Sequence, residues 1–318
     1  MQTQPLVSIV IPCYNGQAYV ADAISSALAQ TYPYTEVVVV DDGSTDKSRD
    51  VIQQFEPKVR TLVLTHQGGN AARNKGWHAS NGDYILFLDA DDVLLPEKVQ
   101  RHVEAIFKYA EDPYCDVTVS DYWVTTIANE RKIKRVSLVG SSEDPVIFAL
   151  ECPPGISSPL YPRSRLEEVG GFSEGLPCSQ EFDLNLRLAA TGVRWIPIRE
   201  ALFTLRKREG SVSSSYIHVL DQRQTILARA AEILEARNAL TEERKLAFAA
   251  DMARAARHYM QRGCRAKGIQ AWESSLRWHP EGWKTVYQWP ARMLCGWFGP
   301  LAVERLADWR RRFIAKYG

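Results

Sequence analysis

The first ninety residues alternate between two hydrophobic rhythms. Val7–Ile11 is an apolar run broken only by Ser8 and followed by Pro12. A short run that is apolar at nearly every position predicts a strand buried on both faces of a parallel sheet. Over 18–30 the apolar residues fall at helical spacing (Val20, Ala23, Ile24, Ala27, Leu28), and Pro33 lies just beyond as a stop. The alternation then repeats. Val37–Val40 predicts a second strand, ending in Asp41-Asp42-Gly43, with a helix starting near Asp46 and running to about Phe55. Thr61–Leu64 is a third strand, Asn70–Ala79 a helix, and Tyr84–Leu88 a fourth strand that runs into Asp89-Ala90-Asp91-Asp92.

Strands separated by helices imply βαβ units and a mostly parallel sheet. Ligands of such sheets sit beyond the carboxyl ends of the strands. Both acidic clusters fall at such ends. Beyond residue 93 the pattern is mixed: a helix over Pro96–Tyr109, a strand at Val117–Ser120, strands near Thr125–Val139, a Pro/Gly/Ser-rich loop over Cys152–Pro162 and a helix over Glu181–Ala190. From about His218 onward the pattern is almost wholly helical and ends in a Trp-rich, basic stretch.

Composition narrows the classes. The 318 residues are 45% hydrophobic and 24% charged, which is globular and not disordered. The formal net charge of +1 supplies no bulk field for nucleic acid or an anionic surface, and no nucleic-acid partner is expected. Cys13, Cys115, Cys152, Cys178, Cys264 and Cys295 are scattered with no C-x-x-C pair. Reduced thiols in a cytoplasm fit that spacing better than a disulfide framework or zinc site. No apolar run approaches the roughly 20 residues that span a bilayer, and the first residues do not read as a signal peptide.

An Asp-x-Asp closing a buried strand suits a hard divalent cation, because carboxylate oxygens bind Mg²⁺ or Mn²⁺ and leave positions for phosphate and water. The same residues would also make an ordinary polar turn or helix cap. Asp41–Asp46 is open in the same way, as helix cap and turn or as carboxylates that accept hydrogen bonds from a base or ribose.

Several blocks in sequence order resemble family 2 glycosyltransferases. They are Val7–Gly16, Ser26–Tyr32, Val39–Asp46, Gly69–Gly76, Gly82–Asp92, Gly170-Gly171-Phe172 and Glu181–Ala189. The resemblance covers about residues 5–215. It implies an α/β, GT-A (Rossmann-like) fold, with a mostly parallel sheet flanked by helices, and a helical C-terminal extension. The domains would be 1–215 (nucleotide-sugar half 1–95, acceptor half 96–215) and 216–318. The implied reaction is metal-dependent, hexosyltransferase-like transfer, with inversion, from a nucleotide-diphosphate sugar to an acceptor hydroxyl in surface polysaccharide or glycoconjugate synthesis. A UDP-sugar is the leading donor and a glycan or lipid-linked molecule the acceptor.

The resemblance also assigns roles. Pro12, Tyr14 and Asn15 would border the nucleotide, Asp42 would meet the base, and Arg73 and Asn74 would line the pocket. Asp89 and Ala90 would approach the ribose side, and Asp91 would ligate Mg²⁺ or Mn²⁺. Glu181 holds the place of the catalytic carboxylate, although the usual Glu-Asp reads Gln180-Glu181 here; Asp183 is the fallback. Arg206 and Arg208 replace a region where the family often carries a His, and their guanidinium groups would suit a diphosphate. Two alternatives stand beside this reading: a sugar-phosphate nucleotidylyltransferase and a non-catalytic nucleotide-sugar-binding protein. The six His residues show no metal-ligand spacing and read as surface or packing residues.

Six of nine tryptophans lie in the tail: Trp272, Trp278, Trp283, Trp289, Trp297 and Trp309. Mixed with arginines, they suggest peripheral contact with the inner face of the membrane. A homo-oligomer contact or packing on the catalytic domain would use the same residues.

Overall fold

The strand pattern predicts a parallel sheet because Val, Ile and Leu at consecutive positions can be covered only if helices lie on both faces. In the computed structural model β1 (Val7–Cys13) lies parallel to β2 (Thr35–Asp41) on one side and to β4 (Tyr84–Phe87) on the other, and β3 (Arg60–Val63) extends the sheet beyond β2. The structure describes residues 4–126, 132–136, 143–207, 216–287, 291–297, 299–300, 302–304 and 306. Two compact units divide the chain, residues 1–214 and 215–318.

In the first unit the helices α1 (Val20–Leu28), α2 (Ser48–Gln53) and α3 (Gly69–Ala79) connect the parallel strands. Val7, Ile9, Ile11, Val37 and Val39 sit fully or almost fully buried with Val20, Ala23, Ile24 and Ile52 in one core cluster. Burying each such side chain contributes about 1.5–3 kcal/mol relative to leaving it in water. Gly76 explains how closely α3 lies on the sheet. A Cβ there would stand 2.4 Å from Val10 Cγ1 and 2.9 Å from Val40 Cγ2, so only glycine fits.

The strand order is β3-β2-β1-β4-β8, and the edge strand β8 (Tyr161–Pro162) runs antiparallel to β4. It emerges from the loop that sequence reading left without regular structure. A second sheet, β5-β9-β6-β7, is formed by β5 (Val93–Leu94), β6 (Val117–Thr126), β7 (Lys132–Val136) and β9 (Trp195–Lys207). The long strand β9 has no clear hydrophobic alternation. Exposed Arg199 and Glu200 interrupt it, and its register against β6 shifts between Ser120 and Trp123.

The remaining helices of this unit are α4 (Lys98–Tyr109), α5 (Pro145–Glu151), α6 (Arg163–Val169) and α7 (Gln180–Ala190). Asp144 caps α5 by accepting from the backbone N–H groups of Val146 and Ile147, with Pro145 at the first helical position. Gly171, with φ +67°, ends the α6 turn where a side chain would collide with Asn74 Oδ1 at 2.6 Å.

The second unit is helical, as its pattern predicts: α8 (Tyr216–Asp221), α9 (Arg223–Ala236), α10 (Glu242–Gln261), α11 (Arg265–Trp278) and a 3-10 turn at Gly282–Thr285. Three of the tail tryptophans pack within it. Trp278 meets Phe248 edge-on at 5.2 Å, and Trp272 lies 5.9 Å from Trp283. Trp297 is 72% exposed, and Trp289 and Trp309 lie outside the described residues. Trp272, Trp278 and Trp283 are thus half-buried in contacts within this unit. Among the described residues no helix is long and apolar enough to cross a membrane. The six cysteines are free, and burial pushes the Cys13 thiol up to about 11.

Candidate active site

The carboxyl ends of β1, β2 and β4 place three loops side by side. Asn15 joins the first two. Its backbone is left-handed (φ 50°), and its Oδ1 accepts from the Thr45 N–H at 2.8 Å while its own N–H donates to Ser44 Oγ at 3.0 Å. Tyr14, 46% exposed, stacks on His66 with ring centroids 4.0 Å apart. His66 Nδ1 lies 3.0 Å from Asp42 Oδ2. Sequence reading passed over His66, which has no motif around it. Only the adjacency of the β1, β2 and β3 ends makes Tyr14, Asp42 and His66 one aromatic and acidic patch. Pro12 is half-buried beside it.

Asp41 and Asp42 are both buried and both engaged. Asp41 Oδ2 receives Arg49 through Nε at 3.2 Å and Nη2 at 3.1 Å, and Asp41 Oδ1 accepts from the Ser44 N–H. Asp42 accepts from the Gln67 N–H at 2.9 Å and the Gly68 N–H at 2.8 Å, one on each oxygen. Asp42 thus fixes the loop that carries His66 and leads into α3.

The turn after β4 differs. Asp89 is one-third exposed and pairs with Arg73 at 2.6 Å; Arg73 is nearly buried, lies over the Phe172 ring at 5.5 Å and leaves its Nε without a hydrogen-bond partner among the described residues. Ala90 and Asp91 are half-buried. Asp92 is buried, accepts from Ser157 Oγ at 2.9 Å and the Arg206 N–H at 3.1 Å, and is pushed well above the usual carboxylate range by burial and then by the charges of Asp89 and Asp91.

Three carboxylates crowd this turn. Hard oxygen donors on a partly open turn suit Mg²⁺ or Mn²⁺, which take one or two protein carboxylates and complete their shell with substrate phosphates and water. Among the described residues no three His, Cys, Asp or Glu side chains form a self-sufficient metal cage. The turn fits a cation shared with a phosphate ligand, with Asp91 and Asp89 as the protein side.

The helix α7 begins with Gln180-Glu181. Glu181 is half-buried, while Asp183 is fully buried and committed elsewhere. Asp183 Oδ2 receives Arg187 Nη2 at 2.7 Å, Arg187 Nε at 3.0 Å and Ser173 Oγ at 2.7 Å. Arg187 also donates to the carbonyls of Val169 and Gly171. The fallback catalytic reading of Asp183 gives way to that of a buried ion pair, because the i, i+4 spacing joins the two on one helical face. Asn74 is likewise occupied. Its Nδ2 donates to the Phe172 carbonyl and Glu174, and its Oδ1 accepts from the Phe172 N–H and Trp77 Nε1. It clamps α3 to the Gly171–Phe172 turn.

Arg206 Nη1 pairs with Asp22 at 2.7 Å, so its guanidinium bridges to α1. Arg208 lies outside the described residues. Burial first, then the charges of Asp92 and Glu181, raise the Tyr122 hydroxyl on β6 above the ordinary range.

This fold is shared with known proteins. Residues 8–151 match the family model "Glycosyl transferase family 2". An uncharacterized glycosyltransferase of Nostoc sp. is 38% identical over 174 residues, covering 51% of this chain and 52% of that protein, so the chain spans about half of that relative. The putative teichuronic acid biosynthesis glycosyltransferase TuaG of Bacillus subtilis is 39% identical over 105 residues, 32% of this chain and 42% of TuaG. Among solved structures, S. aureus TarS 1-349 in complex with UDP-GlcNAc superposes with a TM-score of 0.60 at 20% identity, covering 87% of this chain and 92% of that one. The mannosyltransferase PcManGT from Pyrobaculum calidifontis, in complex with GDP-Man and Mn²⁺, gives 0.55 at 16% identity, covering 96% and 87%. The fold is GT-A. Over residues 8–151, just under half of its length, the chain is similar to glycosyl transferase family 2.

Proposed function

We propose that this protein transfers a sugar from a nucleoside-diphosphate sugar to an acceptor hydroxyl, with inversion, in the synthesis of a cell-surface polysaccharide. The carrying observation is that the carboxyl ends of neighbouring strands bring the Tyr14–His66 stack, the His66–Asp42 contact and the Arg73–Asp89 pair together, an aromatic platform beside paired charges of the kind a nucleotide and its phosphates need. The TarS complex with UDP-GlcNAc and the teichuronic acid assignment of TuaG support the donor class and the biological setting.

The donor's base would lie against Tyr14 and His66 beside Asp42, and its ribose and diphosphate near Asp89 and Arg73. Arg73 has an Nε still to donate. A divalent cation held by Asp91 and Asp89 would supply Lewis-acid stabilisation of the leaving nucleoside diphosphate. An acceptor hydroxyl is a weak nucleophile near neutral pH. Glu181 takes its proton as the acceptor oxygen bonds to the anomeric carbon and the bond to the diphosphate breaks on the opposite face. Asp183 and Arg187 hold the first turns of α7 and so fix Glu181. Asn74 is removed from the donor-contacting set because its amide is fully used.

The test is thermal shift with UDP, GDP, CMP and dTDP, with and without Mn²⁺, on wild type and Asp91→Ala. A bound ligand stabilises by mass action, by about 2.7 kcal/mol at a hundredfold excess over Kd. The expected result is Mn²⁺-dependent stabilisation by one diphosphate, absent in Asp91→Ala. No response to any nucleotide overturns the reading.

Peripheral membrane contact is the narrower second part. Met293 is 47% exposed and Trp297 72%, with Arg292 on the same stretch. Flotation with anionic liposomes tests it, and no binding by the full chain ends it.

A further inference from the structure

Lys98 opens α4 six residues after the acidic turn, and its side chain is fully buried. An amine taken out of water costs several kcal/mol unless its hydrogen bonds are replaced. Among the described residues no carboxylate replaces them: Lys98 Nζ donates to the Ser158 carbonyl at 3.0 Å and to Ser120 Oγ at 3.0 Å, and lies 3.1 Å from His102 Nε2. It also sits 5.0 Å from the centre of the Phe203 ring. His102 Nδ1 is 2.8 Å from Thr118 Oγ1, which ties the cluster to β6.

The next links lead outward. Ser158 Oγ donates to the Ser120 carbonyl at 2.8 Å and accepts from the Ser120 N–H at 3.2 Å, so residue 158 is fixed to β6 from both sides. Its neighbour Ser157 faces the acidic turn. Ser157 Oγ donates to Asp92 Oδ2 at 2.9 Å and accepts from the Asp89 N–H at 3.3 Å. One hydroxyl thus holds both ends of the Asp89–Asp92 turn, and the backbone that carries it is anchored by the buried amine. Ser120, Ser157 and Ser158 are all buried, so water does not compete for these bonds.

Taking the Asp89–Asp92 turn as the diphosphate and metal site, we propose that Lys98 is a positioning residue, fixing Ser157–Ser158 and through them the carboxylates of that turn. Groups that orient metal ligands without touching the ion typically matter by about 10–100-fold in metal affinity. A lysine serves here because it reaches three partners on β6, α4 and the 155–160 loop from one flexible stem, which an apolar residue would leave unpaired.

Two variants test the chain of contacts in the full-length protein. Lys98→Met fills the niche and removes the donors; Ser157→Ala removes the last link. Hydrogen exchange is expected to quicken at residues 155–160 and 89–93 in Lys98→Met while β1 and β2 stay protected. Unchanged exchange at 89–93, or a uniform rise across the unit, overturns the proposal. With the nucleoside diphosphate that stabilises the wild type most, each variant is expected to raise the Mn²⁺ concentration at half-effect about tenfold. The double variant should be no worse than the poorer single one, because residues acting in one chain are not additive. An unchanged Mn²⁺ requirement, or independent effects that multiply, also overturns it. A wild type with no nucleotide response refutes the donor-site reading instead, and hydrogen exchange then decides the linkage alone. Should Lys98→Met not fold, Ser120→Ala removes one anchor of the amine and must give the same local pattern at smaller amplitude.

Discussion

Two acidic turns stand at strand ends on either side of β1, and they differ in how their carboxylates are met. At Asp41-Asp42, after β2, acceptors and donors balance: Arg49 and the N–H groups of Ser44, Gln67 and Gly68 meet the four carboxylate oxygens. At Asp89–Asp92, after β4, three carboxylates share one turn, and their mutual repulsion helps hold the buried Asp92 above its ordinary range. The first turn is built to stay closed. The second keeps three carboxylates close together around the Arg73–Asp89 pair. The same contrast recurs two residues apart on α7, where Asp183 is locked to Arg187 and Glu181 is half-exposed. Two acids that look alike in sequence differ here in burial.

The α7 pair offers the largest effects. Glu181→Gln should lower turnover by about 10²–10⁴-fold, as expected for loss of a general base, with little change in melting temperature. Assay of the donor identified by the nucleotide panel checks it, and a full-rate variant would move the base elsewhere. Asp183→Ala should instead cost about 3–5 kcal/mol of stability, since it strands a buried guanidinium. Urea denaturation measures that loss.

Among the acidic turns, Asp91→Asn should abolish the Mn²⁺-dependent part of nucleotide stabilisation while leaving the ligand-free melting temperature unchanged or slightly higher, because it removes one of the repelling charges. Asp42→Asn should behave in the reverse sense. An amide offers one acceptor where two backbone N–H groups need one each, so stability falls by about 1–3 kcal/mol. If Asp42→Asn left stability intact and Asp91→Asn destabilised the apo protein, the contrast between the turns would collapse. The smallest effect is at the rim. Arg206 is 16% and Asp22 55% exposed, so Arg206→Ala should change stability by no more than about 1 kcal/mol.

The parallel core was legible because βαβ units write themselves into sequence. Consecutive Val and Ile residues mark strands covered on both faces, and helical spacing marks the connections. The structured edges of β1, β2 and β4 differ from the expected limits by only a residue or two. The second sheet was less legible. β9 mixes charged and apolar residues, with an irregular register against β6, so no period of two emerges. The short strands β5 and β8 are fixed by their partners and carry no pattern of their own.

At the site, order and spacing of blocks pointed to Asp89, Asp91, Arg73 and Glu181. They did not reveal that Asn74 would be spent on Phe172 and Glu174, or that His66 would stack on Tyr14. They gave no sign of the Lys98 network either, since Lys98, Ser120 and Ser158 lie far apart in sequence and only the packing of α4 on β6 assembles them.

By itself, then, the sequence determined the layered α/β core, the helical second unit and which strand ends carry acids, because these follow from local periodicity and residue type. The tertiary structure alone decided which acids are buried and which donors meet them. That depends on the donors brought in by distant segments (Arg187, Arg49, the Gln67 and Gly68 amides), and hydrogen-bond supply in a buried site is a property of the assembled fold, not of the neighbouring residues in the chain.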